Sequence, residues 1–220
     1  MIIGKAQYEE YLSNFTTEKV YFSINEGEDY IKNTQAESSV LNISVHNFSN
    51  MVKNLNIEEI NSYLKGFYDK VLPIINNKYG GKIDKINAGN IVAIFSDEFK
   101  FRNTTYSDIF KDAYQCAKEL ITILKGGKYQ AKIGFSLGNI AFCSVAKNDS
   151  SYTEVVCVGE TLLEAYRLEG VAEANEILTI NKSSDIIYTD EDLQGGWAIG
   201  SDDYNFKGLG LCNVRKLIKI

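Results

Sequence analysis

Apolar residues in this chain come in blocks, and the spacing inside each block shifts from strand-like to helix-like and back. Val40-Leu41-Asn42-Ile43-Ser44-Val45 reads as a mostly buried strand. Asn56, with Glu59 three residues on, has the form of a helix N-cap. Ile57, Ile60, Leu64, Phe67, Val71 and Ile74 then form one helical stripe. Pro73 is expected to kink the end of that helix, and Gly80-Gly81 to stop it. Residues 82–87 and 91–95 are joined so tightly that a hairpin follows. A second amphipathic helix is expected from about Tyr106 to Lys125, with Phe110, Ala113, Ala117, Leu120 and Leu124 inward. Residues 130–137 and 140–145 read as two strands around Gly138-Asn139, and 155–158 as a short strand before a helix that starts after Gly159. Residues 177–180 and 212–220 read as the last strands.

The order predicts an α+β fold: helices on a mainly antiparallel sheet, with the βαββαβ core of a ferredoxin-like unit. Residues 1–38 are polar and irregular, with a short helix face at Tyr8, Tyr11 and Phe15 and a turn at Glu26-Gly27-Glu28-Asp29. The expected division is therefore an N-terminal extension, 1–38, and one domain, 39–220.

Composition narrows the function classes. The chain has 220 residues, 45% of them hydrophobic and 24% charged, with a net charge of -6. Lys and Arg are scattered, which argues against nucleic acid as a partner. No apolar run is long enough for a membrane span. The start, with one Lys and then acids, lacks the regions of a secretory signal, so a cytoplasmic location is expected. The four cysteines form no CxxC pair and His46 is the single histidine, so a zinc site is not expected.

Four ordered segments carry a resemblance. The first is residues 40–49, against a family strand V-L-F-x-D-I-x-x-F-T. The second, 80–95, matches G-G-x-x-x-K-x-x-G-D-x-x-x-A-x-F without a gap. The third is Ile133-Gly134-Phe135-Ser136-Leu137-Gly138, and the fourth is 158–169, similar to G-D-x-V-N-x-A-x-R-L-E. Together they resemble the catalytic domain of class III adenylate/guanylate cyclases over about 38–218. The resemblance implies two Mg²⁺ or Mn²⁺ ions as cofactors, held by two aspartates. Those positions are Ser44 and Gly89 here, with Ala88 at the family glycine. Lys85 matches the base-reading lysine, and Val156 falls on the second base-reading position. Arg167 matches the transition-state arginine, and the partner asparagine becomes Leu163. Phe206-Lys207-Gly208-Leu209 resembles L-K-G-K, with Leu209 at the phosphate-touching lysine.

Cyclisation needs cations that lower a hydroxyl pKa and neutralise a triphosphate, and such cations want anionic oxygen ligands. A serine hydroxyl and a glycine supply no charge. Asp84, Asp97, Glu98 and Glu160 are the nearby acids; strand alternation turns Asp84 away if Lys85 faces the pocket. No resident metal cofactor is therefore expected. Arg167 is expected to pair with Glu164 or Glu169, and Trp197 to be a packing anchor. The resemblance implies a head-to-tail homodimer, or a heterodimer with another cyclase-fold chain, and a nucleotide as ligand. The expected function is that of an inactive homologue acting by dimerisation or by ligand or partner binding. The alternatives are the metal-free, substrate-recognising half of an active heterodimer, a cyclase of unusual mechanism, or an unrelated ferredoxin-like module.

Overall fold

The computed structural model describes residues 34–96, 106–146, 153–180 and 195–220. The features expected at Tyr8, Tyr11 and Phe15 and at 26–29, and the acids Asp97 and Glu98, lie outside the described residues. The elements run β1 (Thr34–Val45), α1 (Phe48–Val52), α2 (Ile57–Pro73), a π-helical turn (Ile74–Lys78), β2 (Lys82–Asn87), β3 (Asn90–Ser96) and α3 (Tyr106–Leu124). They continue with β4 (Ala131–Ala146), β5 (Thr153–Val158), α4 (Glu160–Val171), β6 (Glu176–Ile180), β7 (Trp197–Phe206) and β8 (Gly210–Lys219).

One sheet has the order β2-β3-β1-β4-β6-β8-β7, with β5 also paired to β4. In its first four strands β1 lies between β3 and β4, antiparallel to both, and β2 pairs antiparallel with β3. That is the ferredoxin-like βαββαβ core. The fold is α+β, as expected; β6, parallel to β4, then leads into the β8–β7 hairpin.

Alternation along the strands divides the interior into two faces. Leu41, Ile43, Val45, Ile91, Ala93, Phe95, Ile133 and Phe135 pack with α2 and α3 in the larger core. Val40, Val92, Ile94, Ile140 and Phe142 point the other way, against Leu162 and Ala165 of α4. The α3 stripe is buried as expected, from Phe110 to Leu124. On α2 the Asn56–Glu59 capping box forms, but Tyr63, Phe67 and Val71 are the buried residues and Ile57 is 80% exposed. The Tyr63 hydroxyl donates to the Lys128 carbonyl, 2.6 Å, which lets an amphipathic ring take the inner position. Beyond Pro73 the ladder widens into the π turn, the local disturbance that a late proline predicts. Trp197 is buried in the larger core, as an anchor should be.

Three boundaries differ from expectation. β1 starts at Thr34 rather than Val40, because its first residues pair with β4 from Thr34↔Phe142 onward. For the same reason β4 is one long strand, not two around Gly138-Asn139: those residues pair with Ser38 and Glu37 inside the ladder. β7 went unpredicted, since residues 198–205 alternate exposed and half-exposed positions and bury none of their side chains.

Candidate functional site

Helix α4 carries two of the sequence-predicted positions, Leu163 and Arg167, and its placement depends on β4. A Cβ added at Gly134 would lie 2.1 Å from the Ala165 carbonyl oxygen and 2.5 Å from the Glu169 nitrogen. One at Gly138 would lie 2.7 Å from the Thr161 hydroxyl. The Ile133–Gly138 motif is therefore a flat bed on which α4 rests with backbone-to-backbone contact. The Ser136 hydroxyl donates to the Thr161 carbonyl beneath it.

The pairing of β1 with β3 brings Ser44 and Gly89 to one place. Ser44 lies on β1 opposite Asn90 of β3 and Lys132 of β4. Gly89 lies in the β2–β3 turn, where its carbonyl accepts from the Val45 N–H, 2.9 Å. Both line a cavity of about 340 Å³ together with Asn47, Phe48, Lys132 and Glu169. The resemblance thus pairs two positions that the fold also pairs.

The chemistry of this cavity is self-contained. The Ser44 hydroxyl donates to Glu169 Oε1. The same oxygen pairs with Lys132 Nζ at 3.2 Å, both side chains being less than one-fifth exposed. A Cβ on Gly89 would come within 2.6 Å of two Phe48 ring atoms, so Phe48 holds the space that a side chain at 89 would need. Ala88 beside it takes a left-handed φ of 50°. One carboxylate already neutralised by an ammonium, one serine and one glycine do not make a divalent-cation pair. The donor set does not fit the two ions that the sequence resemblance implies. Glu160 cannot replace the missing ligands from where it stands: it lines a different cavity at the start of α4, of about 410 Å³. Among the described residues no group of three His, Cys, Asp or Glu is placed to hold a metal.

The remaining positions lie on α4, the β7–β8 turn, β2 and β5. Leu163 and Arg167, one turn apart, are half-buried and exposed respectively. Leu163 packs toward the β7–β8 turn, 3.5 Å from where a Gly208 Cβ would be, so it meets the Lys207-Gly208-Leu209 segment. Lys207 is exposed and Leu209 half-buried. Arg167 forms no ion pair among the described residues, which corrects the expected pairing: Glu169 is turned to Lys132 instead. Lys85 is exposed on β2, and its charge reaches Cys157, the neighbour of half-buried Val156 on β5.

Asp84 also departs from expectation. Ile83 pairs with Ala93 but Lys85 pairs with Val92, so a bulge intervenes and strict alternation fails. The Cys157 thiol hydrogen-bonds to Asp84, and burial together with that carboxylate pushes the thiol well above its ordinary range. Sequence reading missed Phe48 and Lys132 as determinants, although both sit inside or beside the matched segments. Their roles appear only when β1, β4 and the turn are brought together.

A face built this way, on this sheet, defines a class: the chain has the fold of class III adenylyl and guanylyl cyclase catalytic domains. It superposes on the guanylyl cyclase Cya2 with a TM-score of 0.69 at 18% identity, covering 85% of this chain and 94% of that one. The adenylyl cyclase CyaB from P. aeruginosa gives 0.67 at 16%, covering 86% and 97%. The guanylate cyclase domain of RhGC from Catenaria anguillulae, solved in complex with GTP, gives 0.68 at 14%, covering 84% and 98%. No family model matches the sequence, and no curated protein does. Among the described residues no helix is long and apolar enough to cross a membrane.

Proposed function

We propose that this chain is a non-catalytic nucleotide cyclase homologue that acts in the cytoplasm, in signalling, through association and nucleotide or partner binding. The observation that carries the proposal is the lining of the cavity at Ser44 and Gly89. Ser44 is bonded to the Glu169–Lys132 pair, and Phe48 occupies the space of a side chain at 89. Without a cation pair the attacking hydroxyl keeps its high pKa and the triphosphate its charge. Leu163 adds to the loss, because a preorganised donor at such a position is worth about 10²–10³ in rate. A head-to-tail homodimer would carry two equally degraded sites.

A second reading is favoured by one observation. Lys85 and Arg167 are exposed and make no ion pair among the described residues, so both remain available to a ligand. The chain would then be the metal-free half of a heterodimer, giving Lys85 and Arg167 to a site whose carboxylates come from its partner.

The test is incubation of the purified protein with ATP, GTP, CTP and UTP, with Mg²⁺ or Mn²⁺, and mass spectrometry for cyclic mononucleotides. The proposal expects no product from the folded protein alone. Product that vanishes on Arg167→Ala would overturn it. Product only in a mixture with an intact cyclase chain would move the assignment to the second reading.

A further inference from the structure

The cavity at Ser44 and Gly89 has a lining that is neutral in sum and rich in amides. Its two charged groups cancel: Lys132 Nζ stands 3.2 Å from Glu169 Oε1, with both side chains less than one-fifth exposed. An incoming anion would meet Glu169 and an incoming cation would meet Lys132. Either would have to part a largely buried pair, which is costly. Four asparagines share the lining: Asn47 between β1 and α1, Asn50 of α1, Asn87 of β2 and Asn90 of β3. Asn47 stands at the N-cap of α1, yet its side chain makes no capping bond. Asn90 Nδ2 donates to Asn42 Oδ1, 2.7 Å, and keeps its own carbonyl oxygen as an acceptor. Behind it Asn42 is fully buried, and its Nδ2 has no hydrogen-bond partner. A buried donor of that kind calls for an oxygen that the chain itself does not supply. Phe48, half-buried, adds an apolar ring to the wall.

We infer that this cavity is a binding site for a small neutral polyol, a monosaccharide or cyclitol of one ring. A hydroxyl both donates and accepts hydrogen bonds, and so does a primary amide. A cluster of amides therefore matches a run of neighbouring hydroxyls with no net charge on either side. The Phe48 ring covers the C–H surface that such a ligand presents between its hydroxyls. The volume, about 340 Å³, lies at the lower end of the range of about 300–1,000 Å³ for small-molecule sites, which suits a single ring. This inference rests on the non-catalytic reading of the cavity given above.

The experiment is ligand binding to the full chain by saturation-transfer NMR and calorimetry. The probes are D-glucose, D-galactose, D-xylose and myo-inositol, with inorganic tripolyphosphate as a charged competitor. At least one probe is expected to bind saturably, and tripolyphosphate is expected not to displace it. Asn50→Ala combined with Asn87→Ala is expected to weaken that probe about tenfold, the loss of two neutral hydrogen bonds. Both side chains are exposed, so folding does not depend on them. Asn47→Gly keeps the left-handed backbone at φ 58° and removes only the amide. It is expected to weaken the same probe about fivefold, as one such bond would. No saturable binding by any of the four probes would overturn the inference and leave the non-catalytic reading standing, because that reading fails on formation of a cyclic nucleotide instead. Binding that both variants leave unchanged would put the polyol elsewhere and overturn the site. Displacement by tripolyphosphate would mean that the lining accepts an anion, and would overturn the inference as well.

Discussion

At the scale of single residues, three positions decide the geometry. Gly134 is required by the approach of α4, so Gly134→Ala is expected to cost about 3 kcal/mol through overpacking, read from urea unfolding. Ala88 stands at a φ of 50°, where a Cβ is disfavoured. Ala88→Gly is expected to raise stability by about 1 kcal/mol, the lower end of the penalty for a left-handed residue, in the same assay. Phe48 is the third. Restoring carboxylates by Ser44→Asp with Gly89→Asp is not expected to restore Mn²⁺ binding, since the ring fills the space at 89. Adding Phe48→Ala is expected to permit it, as seen by titration of free Mn²⁺ resonance. Binding by the double variant would show that the ring yields. The sequence located Ser44, Gly89 and Arg167 on the right elements by their spacing. It misassigned Asp84 and the partner of Arg167, because a bulge and a competing lysine are tertiary facts without a local signal.

Elements were legible where periodicity was strong. The α3 stripe, the capping box of α2 and the β2–β3 hairpin all follow from local patterns. Gly138-Asn139 has the local form of a turn that would split β4 in two, whereas pairing with β1 overrides that preference. The π turn after Pro73 also has a role that no pattern shows. Lys78 and the Tyr79 hydroxyl, at its end, both hydrogen-bond to Glu119 of α3, the latter at 2.7 Å. Those bonds hold the Glu119 carboxyl below its ordinary value of 4.5. The folded pKa is lower than the unfolded one, so the linkage contributes stability above that value and loses it as pH falls through the folded pKa. Glu119→Gln is expected to flatten the acid limb of the stability curve while leaving its shape near neutrality unchanged. Equal acid sensitivity in both proteins would argue against the link.

For the whole molecule, the order of strands and helices was readable because four short segments kept their spacing along the chain. The fold survives at 14–18% identity to the solved cyclase domains named above. What those segments preserve is the architecture: the glycine bed for α4, the tight β2–β3 turn and the central β1. The cavity that Ser44 and Gly89 line is bordered by the Glu169–Lys132 ion pair and the Phe48 ring, and the helix that faces the β7–β8 turn presents Leu163 to it.

The most direct measurement is Mn²⁺ binding by the unmutated protein, followed by electron paramagnetic resonance in the presence and absence of nucleoside triphosphate. Without nucleotide, the free-ion signal is expected to equal that of Mn²⁺ without protein. A saturable loss of that signal at one or two ions per chain, abolished by Glu169→Gln, would mean that the Lys132–Glu169 pair opens to admit a metal, and the account would be wrong.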